Sequence, residues 1–312
     1  MCGIFSYKGK NESLESLKDS IDLIKYRGPD NSKYKIFEDN VLFGFHRLSI
    51  VGISESGNQP LFHPEDNNLS LICNGEIYNF KKLANKYNFN LQSGSDCEII
   101  LHLYKKLGIE KTVKELDGVF MFVLYDETKN VLFSARDPFG VRPGFIGYKN
   151  NDIYIASEVK PIAKYCDKIL PFKPGTWFSS DNINQFNSFY KLSFENILNE
   201  NEIFENIKKI LTESVKKRLM SERKIGCLLS GGLDSSLIAA EMQSLSSSPI
   251  NTFTIGFETP GYNEAKSAKA ISKPSLSTLF SSSFKPLAPP TKSILGSVLS
   301  SVMPSKGSII KS

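Results

Sequence analysis

The chain has 312 residues and a net charge of +5, with 40% hydrophobic and 23% charged residues. That length exceeds one ordinary core and sets an expectation of two domains, and no run approaches the roughly 18–20 apolar residues of a membrane span. Residues 273–312 hold five lysines and neither arginine nor acid, which leaves 33 basic and 33 acidic residues before them. The globular part is therefore neutral, without the clustered cations of a nucleic-acid footprint.

The first residues, Met1-Cys2-Gly3-Ile4-Phe5, contain no basic segment followed by an apolar core, so no signal peptide is expected and the default compartment is the cytoplasm. The five cysteines are scattered and none is paired at Cys-x-x-Cys spacing, as free thiols in a reducing compartment would be.

In chain order, helical spacing appears over 14–24. Val41-Leu42-Phe43-Gly44-Phe45 and Leu69-Ser70-Leu71-Ile72-Cys73 read as strands. A helix follows at 99–107. Val119-Phe120-Met121-Phe122-Val123-Leu124-Tyr125 is apolar throughout, as a strand buried on both faces requires, and a polar turn separates it from Val131-Leu132-Phe133-Ser134-Ala135. The predicted class is α+β over 2–190, with a polar linker at 191–202. A helical pattern from Ile203 to Leu219 precedes a buried strand, Lys224-Ile225-Gly226-Cys227-Leu228-Leu229, a Gly-Gly turn, a helix from Leu237 and the strand Asn251-Thr252-Phe253-Thr254-Ile255-Gly256-Phe257. Strand, turn, helix, strand is the opening of a doubly wound α/β sheet, here over 203–272. From Lys273 the composition turns to twelve serines and five prolines in forty residues, and disorder is expected there.

Cys2 has unusual chemical potential. If Met1 is removed, the residue carries a thiol and a free α-amine, and the amine, with a pKa near ~8, can serve as base for its own nucleophile. Taken alone, Asn74-Gly75 is equally a hairpin-turn signal, Arg47 equally a surface ion-pair residue, and Arg136–Pro143, with Pro and Gly at turn positions, chiefly a structural turn.

Taken together they say more. Cys2-Gly3-Ile4, Arg27-Gly28-Pro29-Asp30, Arg47-Leu48-Ser49-Ile50-Val51, Asn74-Gly75-Glu76-Ile77-Tyr78-Asn79, Gly94-Ser95-Asp96 and Arg136-Asp137-Pro138-Phe139-Gly140-Val141-Arg142-Pro143 occur in this order. They closely resemble the class II glutamine amidotransferase domain of glutamine-dependent asparagine synthetases, over nearly all of 2–190. The resemblance implies an N-terminal-nucleophile αββα sandwich in which Cys2 sulfur attacks the side-chain amide of glutamine. It also implies an oxyanion hole from the Asn74 side chain and the Gly75 N–H. Arg47 would hold the substrate α-carboxylate in a bidentate pair, and Asp96, with Glu76 beside it, the α-ammonium. Leu48, Ser49, Ile50 and Val51 complete the glutamine-binding set. After Pro143 the sequence departs from the family pattern, with Gly144-Phe145-Ile146 at a packing position.

Leu229-Ser230-Gly231-Gly232-Leu233-Asp234-Ser235-Ser236 lies between strand and helix and lacks the Lys-[Ser/Thr] of a hydrolase phosphate loop. It resembles the pyrophosphate loop of enzymes that adenylate a substrate. The implied ATP site is Leu229, Ser230, Gly231, Gly232, Asp234, Ser235 and Ile255, with Asp234 placing Mg2+ on the phosphates. The implied reaction is that of a glutamine-hydrolysing asparagine synthase, with glutamine, aspartate and ATP as partners and a homodimer as the usual assembly; the alternatives are another acceptor, or a regulatory glutamine-binding remnant. The family pattern runs to Ser272 and then stops, so a frameshift near 272–274 or a shortened synthetase half is expected, with glutaminase activity surviving without asparagine formation.

Overall fold

The computed structural model describes residues 1–193, 200–257, 263–272 and 307–311. It divides into two compact units, 1–195 and 196–312.

The first unit contains two six-stranded antiparallel sheets. One contains β1 (Gly3–Lys8), β2 (Asn31–Phe37), β3 (Val41–Arg47), β8 (Phe145–Lys149), β9 (Asp152–Ala156) and β10 (Lys168–Pro171), ordered β10-β8-β9-β1-β3-β2. The other contains β4 (Leu61–His63), β5 (Asp66–Ile77), β6 (Gly118–Asp126), β7 (Val131–Arg136), β11 (Thr176–Ser179) and β12 (Phe186–Ser188), ordered β12-β11-β7-β6-β5-β4. Strand alternation builds the layers. Ile4 on β1, Phe43 and Phe45 on β3 and Ile155 on β9 meet Ile72 on β5 and Met121, Val123 and Tyr125 on β6 in one cluster between the sheets. Phe5, Tyr7 and Tyr154 face the other way, onto Leu17 and Ile21 of helix α1 (Leu14–Asp22). Helix α3 (Ile99–Leu107) packs on β4 and β5, with the short α2 (Phe80–Tyr87) and α4 (Ile109–Glu115) beside it. Helix, sheet, sheet, helix is the αββα sandwich that the family resemblance implies.

Most local expectations hold. Helix α3 and the 126–131 hairpin lie where the pattern put them, and Asn130 supplies the left-handed turn residue at φ 53°. Every residue of 119–126 is buried, as a strand covered on both faces must be. Asn74-Gly75, in contrast, is no turn: it lies inside β5, opposite Met121 and Phe120. An added Cβ at Gly75 would come within 2.4 Å of the Val119 carbonyl oxygen, so glycine answers to strand proximity there, not to a turn.

In the second unit, helix α5 (Glu200–Arg218) precedes β13 (Gly226–Leu228), α6 (Leu233–Leu245) and β14 (Asn251–Phe257), and β13 and β14 are parallel. This is the expected α/β unit, with α6 starting at Leu233, ahead of the predicted Leu237, because Gly232 takes the N-cap position. The strand expected to be buried is buried on one face only, with Cys227 inward and Leu228 71% exposed. Helix α7 (Ala265–Ile271) follows. Most of the tail expected to be disordered lies outside the described residues. Gly307–Lys311, however, form β15, which pairs antiparallel with β14 and departs from that expectation. No helix among the described residues is long and apolar enough to cross a membrane.

Candidate active site

Cys2 stands immediately before β1, two residues from Ile4, and packs against the cluster between the sheets. Asn74 stands two residues after Ile72 on β5 and shares its face. The two sheets thus bring residue 2 and residue 74 to the same interlayer space from opposite sides. Arg47 ends β3, one step beyond the Gly3–His46 pair. Cys2, Arg47, Leu48, Ile50, Val51, Asn74, Gly75, Glu76 and Asp96 all line one cavity of about 30 Å3, with Met1 also in its wall. Ser49 alone of its motif does not line that cavity; its N–H donates to the Asp30 carboxylate at 2.8 Å.

The Cys2 sulfur is held by the Leu48 backbone, whose N–H lies 3.4 Å and whose carbonyl oxygen lies 3.5 Å from it. Burial pushes the thiol up to about 11, against the opposing effect of the Leu48 hydrogen bond. The Arg27 Nε donates to the Cys2 carbonyl at 3.0 Å while Arg27 pairs with Glu158 at 2.9 Å, which anchors the chain end. Burial also lowers the terminal ammonium on Met1, and Arg142 and Arg27 add to that effect against the opposing charge of Cys2.

Asn74 is 1% exposed, and its Nδ2 is a buried donor without a hydrogen-bond partner. Such a group costs about 1–3 kcal/mol of stability, so a fold keeps it where something else is gained. Arg47 is 5% exposed; it donates to the Ser54 carbonyl at 2.9 Å, to Asn58 Oδ1 at 2.7 Å and to the Gly52 carbonyl. Asp96 accepts from the Ile77 N–H at 2.6 Å. Burial raises its carboxyl to about 7 in spite of that bond, and the neighbouring Glu76 raises it further.

Sequence reasoning missed several groups here. The Arg136–Pro143 loop is structural, as expected: Arg136 donates to the carbonyls of Arg142, Phe172 and Gly140, and Asp137 accepts the N–H groups of Phe139, Val141 and Arg142. It has a second task, because Arg142 forms an ion pair with Glu76 in the cavity wall. Gln59 is also new. Its side-chain amide accepts from the Cys73 N–H at 2.5 Å and donates to the Cys73 carbonyl at 3.2 Å, as a neighbouring strand would, and so clamps β5 just before Asn74. Nothing in a single sequence marks either contact, since both depend on loops distant along the chain.

The loop of the second unit is compact. Ser230 and Ser235 hydroxyls lie 2.9 Å apart, the Gly232 N–H donates to Ser230 Oγ at 3.3 Å, and the Ser236 hydroxyl donates to the Gly232 carbonyl at 2.6 Å. Gly231 has φ +87°, and a Cβ there would meet Ser267 Cβ at 2.5 Å, so α7 packs directly on the loop. At Gly232 a Cβ would meet only Ser230 Oγ, at 3.4 Å, so that side of the loop is open. Open glycine backbone, serine hydroxyls and the start of the 13-residue α6 are the donor set an anion takes. Asp234 lies exposed in the first turn of α6 and Ile255 is 41% exposed, whereas the Leu229 side chain is packed in the core of this unit and its carbonyl accepts from the Thr254 hydroxyl. A single carboxylate beside a phosphate-binding loop suits magnesium, which keeps waters and phosphate oxygens as its other ligands.

Comparison with known proteins gives the family and the fold. A family model described as the glutamine amidotransferase domain matches residues 1–224, and one described as asparagine synthase matches 206–275. The chain is 38% identical over 304 residues to a probable glutamine-hydrolysing asparagine synthetase of Acanthamoeba polyphaga mimivirus, covering 88% of this chain and 54% of that one. It is 40% identical over 252 residues to the probable enzyme of Schizosaccharomyces pombe, covering 77% and 44%, and 37% identical over 292 residues to that of Gallus gallus, covering 83% and 52%. The chain thus spans about half the length of the curated relatives it matches. Among solved structures, the glutamine phosphoribosylpyrophosphate amidotransferase of B. subtilis, complexed with ADP and GMP, aligns with a TM-score of 0.51 at 18% identity, covering 83% of this chain and 67% of that one. An allosteric regulatory enzyme of purine biosynthesis aligns with the same score at 19% identity, covering 83% and 66%. At these identities the likeness shows a shared fold.

Proposed function

The chain belongs to the glutamine amidotransferase domain family, and from that premise we propose that its first unit hydrolyses glutamine at Cys2 and supplies the ammonia for asparagine synthesis. The observation that carries the reading is the buried, unpartnered Asn74 Nδ2 on the cavity that also holds Cys2 and Asp96.

Loss of Met1 comes first. With Met1 in its wall the cavity has room for about one water, too little for a glutamine side chain. Removal opens the cavity and puts the terminal amine on Cys2, beside its own thiol, where it can serve as the base. The amine takes the thiol proton as sulfur attacks the amide carbon. Negative charge that develops on the amide oxygen meets Asn74 Nδ2 and the Gly75 N–H; one such donor is typically worth ~2.7–4 kcal/mol in the transition state. The α-ammonium then returns its proton to the departing ammonia, and water cleaves the thioester to release glutamate. Arg47 pairs with the substrate α-carboxylate and Asp96 with its α-ammonium. That positive charge restores the ionised Asp96 which burial disfavours.

In the second unit, Ser230, Ser235 and the Gly231-Gly232 backbone would hold the ATP phosphates, with Asp234 on magnesium. The chemistry ATP would supply there is activation of the aspartate side-chain carboxylate, which does not react with ammonia unaided.

Glutamate and asparagine release, each measured with and without ATP and aspartate, test both halves of the proposal. Glutamate release independent of ATP is expected, together with a single modification at Cys2 by diazo-oxo-norleucine, a glutamine-mimicking electrophile. Unchanged glutamate release by Cys2→Ala would refute the assignment. Intact mass reports whether Met1 is removed.

A further inference from the structure

Asp96, at the start of the 96–98 helical turn, and Arg47, at the end of β3, lie on separate segments, and the cavity is useful only if those segments hold a fixed distance. The segment before Asp96, residues 91–95, has no regular structure, and Gly94 in it has φ +71°. What fixes it is a side chain outside the predicted site. Glu98 is 1% exposed, and its carboxylate accepts from the Gln92 N–H at 2.9 Å, the Ser93 N–H at 2.6 Å and the Ser93 hydroxyl at 2.5 Å. His102, one turn along α3, holds the same carboxylate at 3.2 Å, and His63 and Phe89 pack against the His102 ring. A buried carboxylate with so many donors is a rigid node. Burial alone would raise its carboxyl, but His102, Ser93 and Gln92 outweigh that and bring it to about 2.

The fixed segment in turn supports the Arg47 loop. Ser56 Oγ donates to the Ser93 carbonyl at 2.9 Å. Gly52 abuts Gly94 so closely that a Cβ on Gly52 would lie 2.6 Å from the Gly94 carbonyl group. The Gly52 and Ser54 carbonyls are the ones that receive the Arg47 guanidinium. Gly57 seals the arrangement, since a Cβ there would meet Arg47 Nη2 at 2.5 Å.

We propose that Glu98 is a positioning residue for glutamine: its carboxylate sets the 92–95 segment against the 52–56 segment, and so spaces Asp96 and Arg47 to grip the α-ammonium and α-carboxylate of one amino acid. The inference rests on the glutaminase reading and adds to it the residue that sets amino-acid affinity without touching substrate.

Two electrophiles separate the inference from its foundation. Diazo-oxo-norleucine carries both α-groups and needs the grip; iodoacetamide carries neither. In the full chain, Glu98→Gln keeps the shape and removes the charge. Its half-saturating concentration for inactivation by the diazo ketone is expected to rise about tenfold, with the limiting inactivation rate and the carbamidomethylation rate at Cys2 within about twofold of wild type. Ser56→Ala, at an exposed position that folding tolerates, is expected to show the same pattern at about threefold. A lower melting temperature with unchanged half-saturation in the variants would make Glu98 structural only and overturn the proposal. Equal losses in the reactions of both electrophiles would overturn it too. A wild-type chain that the diazo ketone leaves unmodified while iodoacetamide labels Cys2 would overturn the glutaminase reading itself, and the positioning role with it.

Discussion

The residues proposed to meet glutamine come from positions 2, 47, 74–76 and 96, in strands of two sheets, at the chain start and in a helical turn, and Arg47, Asn74 and Asp96 are each at most 5% exposed. Those proposed to meet ATP phosphates come from consecutive positions at 230–235, and Gly232 and Asp234 among them are exposed. The first site is made by tertiary structure: its donors are buried, orphaned or crowded, and the fold bears their cost. The second is made by one strand-to-helix turn, so its donors are satisfied among themselves and open to solvent. A buried, assembled site should therefore lose much when one member is removed and regain stability in return, whereas the local loop should lose little at each position.

Cys2→Ala is the largest expected effect, a fall in glutamate release of more than ~10^3-fold, because no other group forms the thioester. Asn74→Ala should lower kcat by ~10^2–10^3-fold. Because it removes an unpartnered buried donor, its melting temperature should equal or exceed that of the wild type; a marked drop would mean that Asn74 is a structural residue.

Asp96→Asn should abolish glutamine saturation and also stabilise the fold in a pH-dependent way. The folded-state carboxyl is raised to about 7 from 3.8. Its contribution to stability is thus intact below the unfolded value and is lost as pH rises through 7. The variant should melt several degrees above wild type at pH 8 and level with it near pH 3, and a pH-independent difference would contradict the burial argument.

In the other region, Gly231→Ala places a Cβ against α7 at a backbone conformation that favours glycine. About 1–3 kcal/mol of local stability should be lost, seen as faster hydrogen exchange in α6 and α7. The smallest effect is expected for Ser235→Ala, which removes one hydroxyl from a mutually bonded pair; nucleotide binding should weaken about threefold. A hundredfold loss there would mean that the loop is as preorganised as the Cys2 site, and the contrast between the regions would fail.

Legibility followed the same divide. The Ser230–Ser236 loop could be read with its flanking elements because strand, turn and helix are contiguous, and only the helix start was misplaced, Gly232 capping it ahead of Leu237. The proposed glutamine site was legible as residue types in ordered motifs, but not as an arrangement. Asn74-Gly75 has the sequence of a turn and the structure of a strand, because the pairing of β5 with β6 overrides local preference. Glu98 and Gln59 carried no sequence signal and Arg142 only that of a structural turn, since each acts through a backbone or side-chain group that only the folded chain brings near.

The sequence by itself determined the run of strands and helices and the Gly-Gly turn between strand and helix, because these depend on neighbours within a few residues, while the proposed nucleophile and the two-sheet sandwich were legible only through the family resemblance of ordered motifs. Tertiary structure alone decided that Cys2 and Asn74 face the same interlayer space, that Asp96 is driven toward its neutral form and that Glu98 holds the backbone of Gln92 and Ser93. Those properties depend on burial and on distances between remote segments, and both come into being only when the sheets pack.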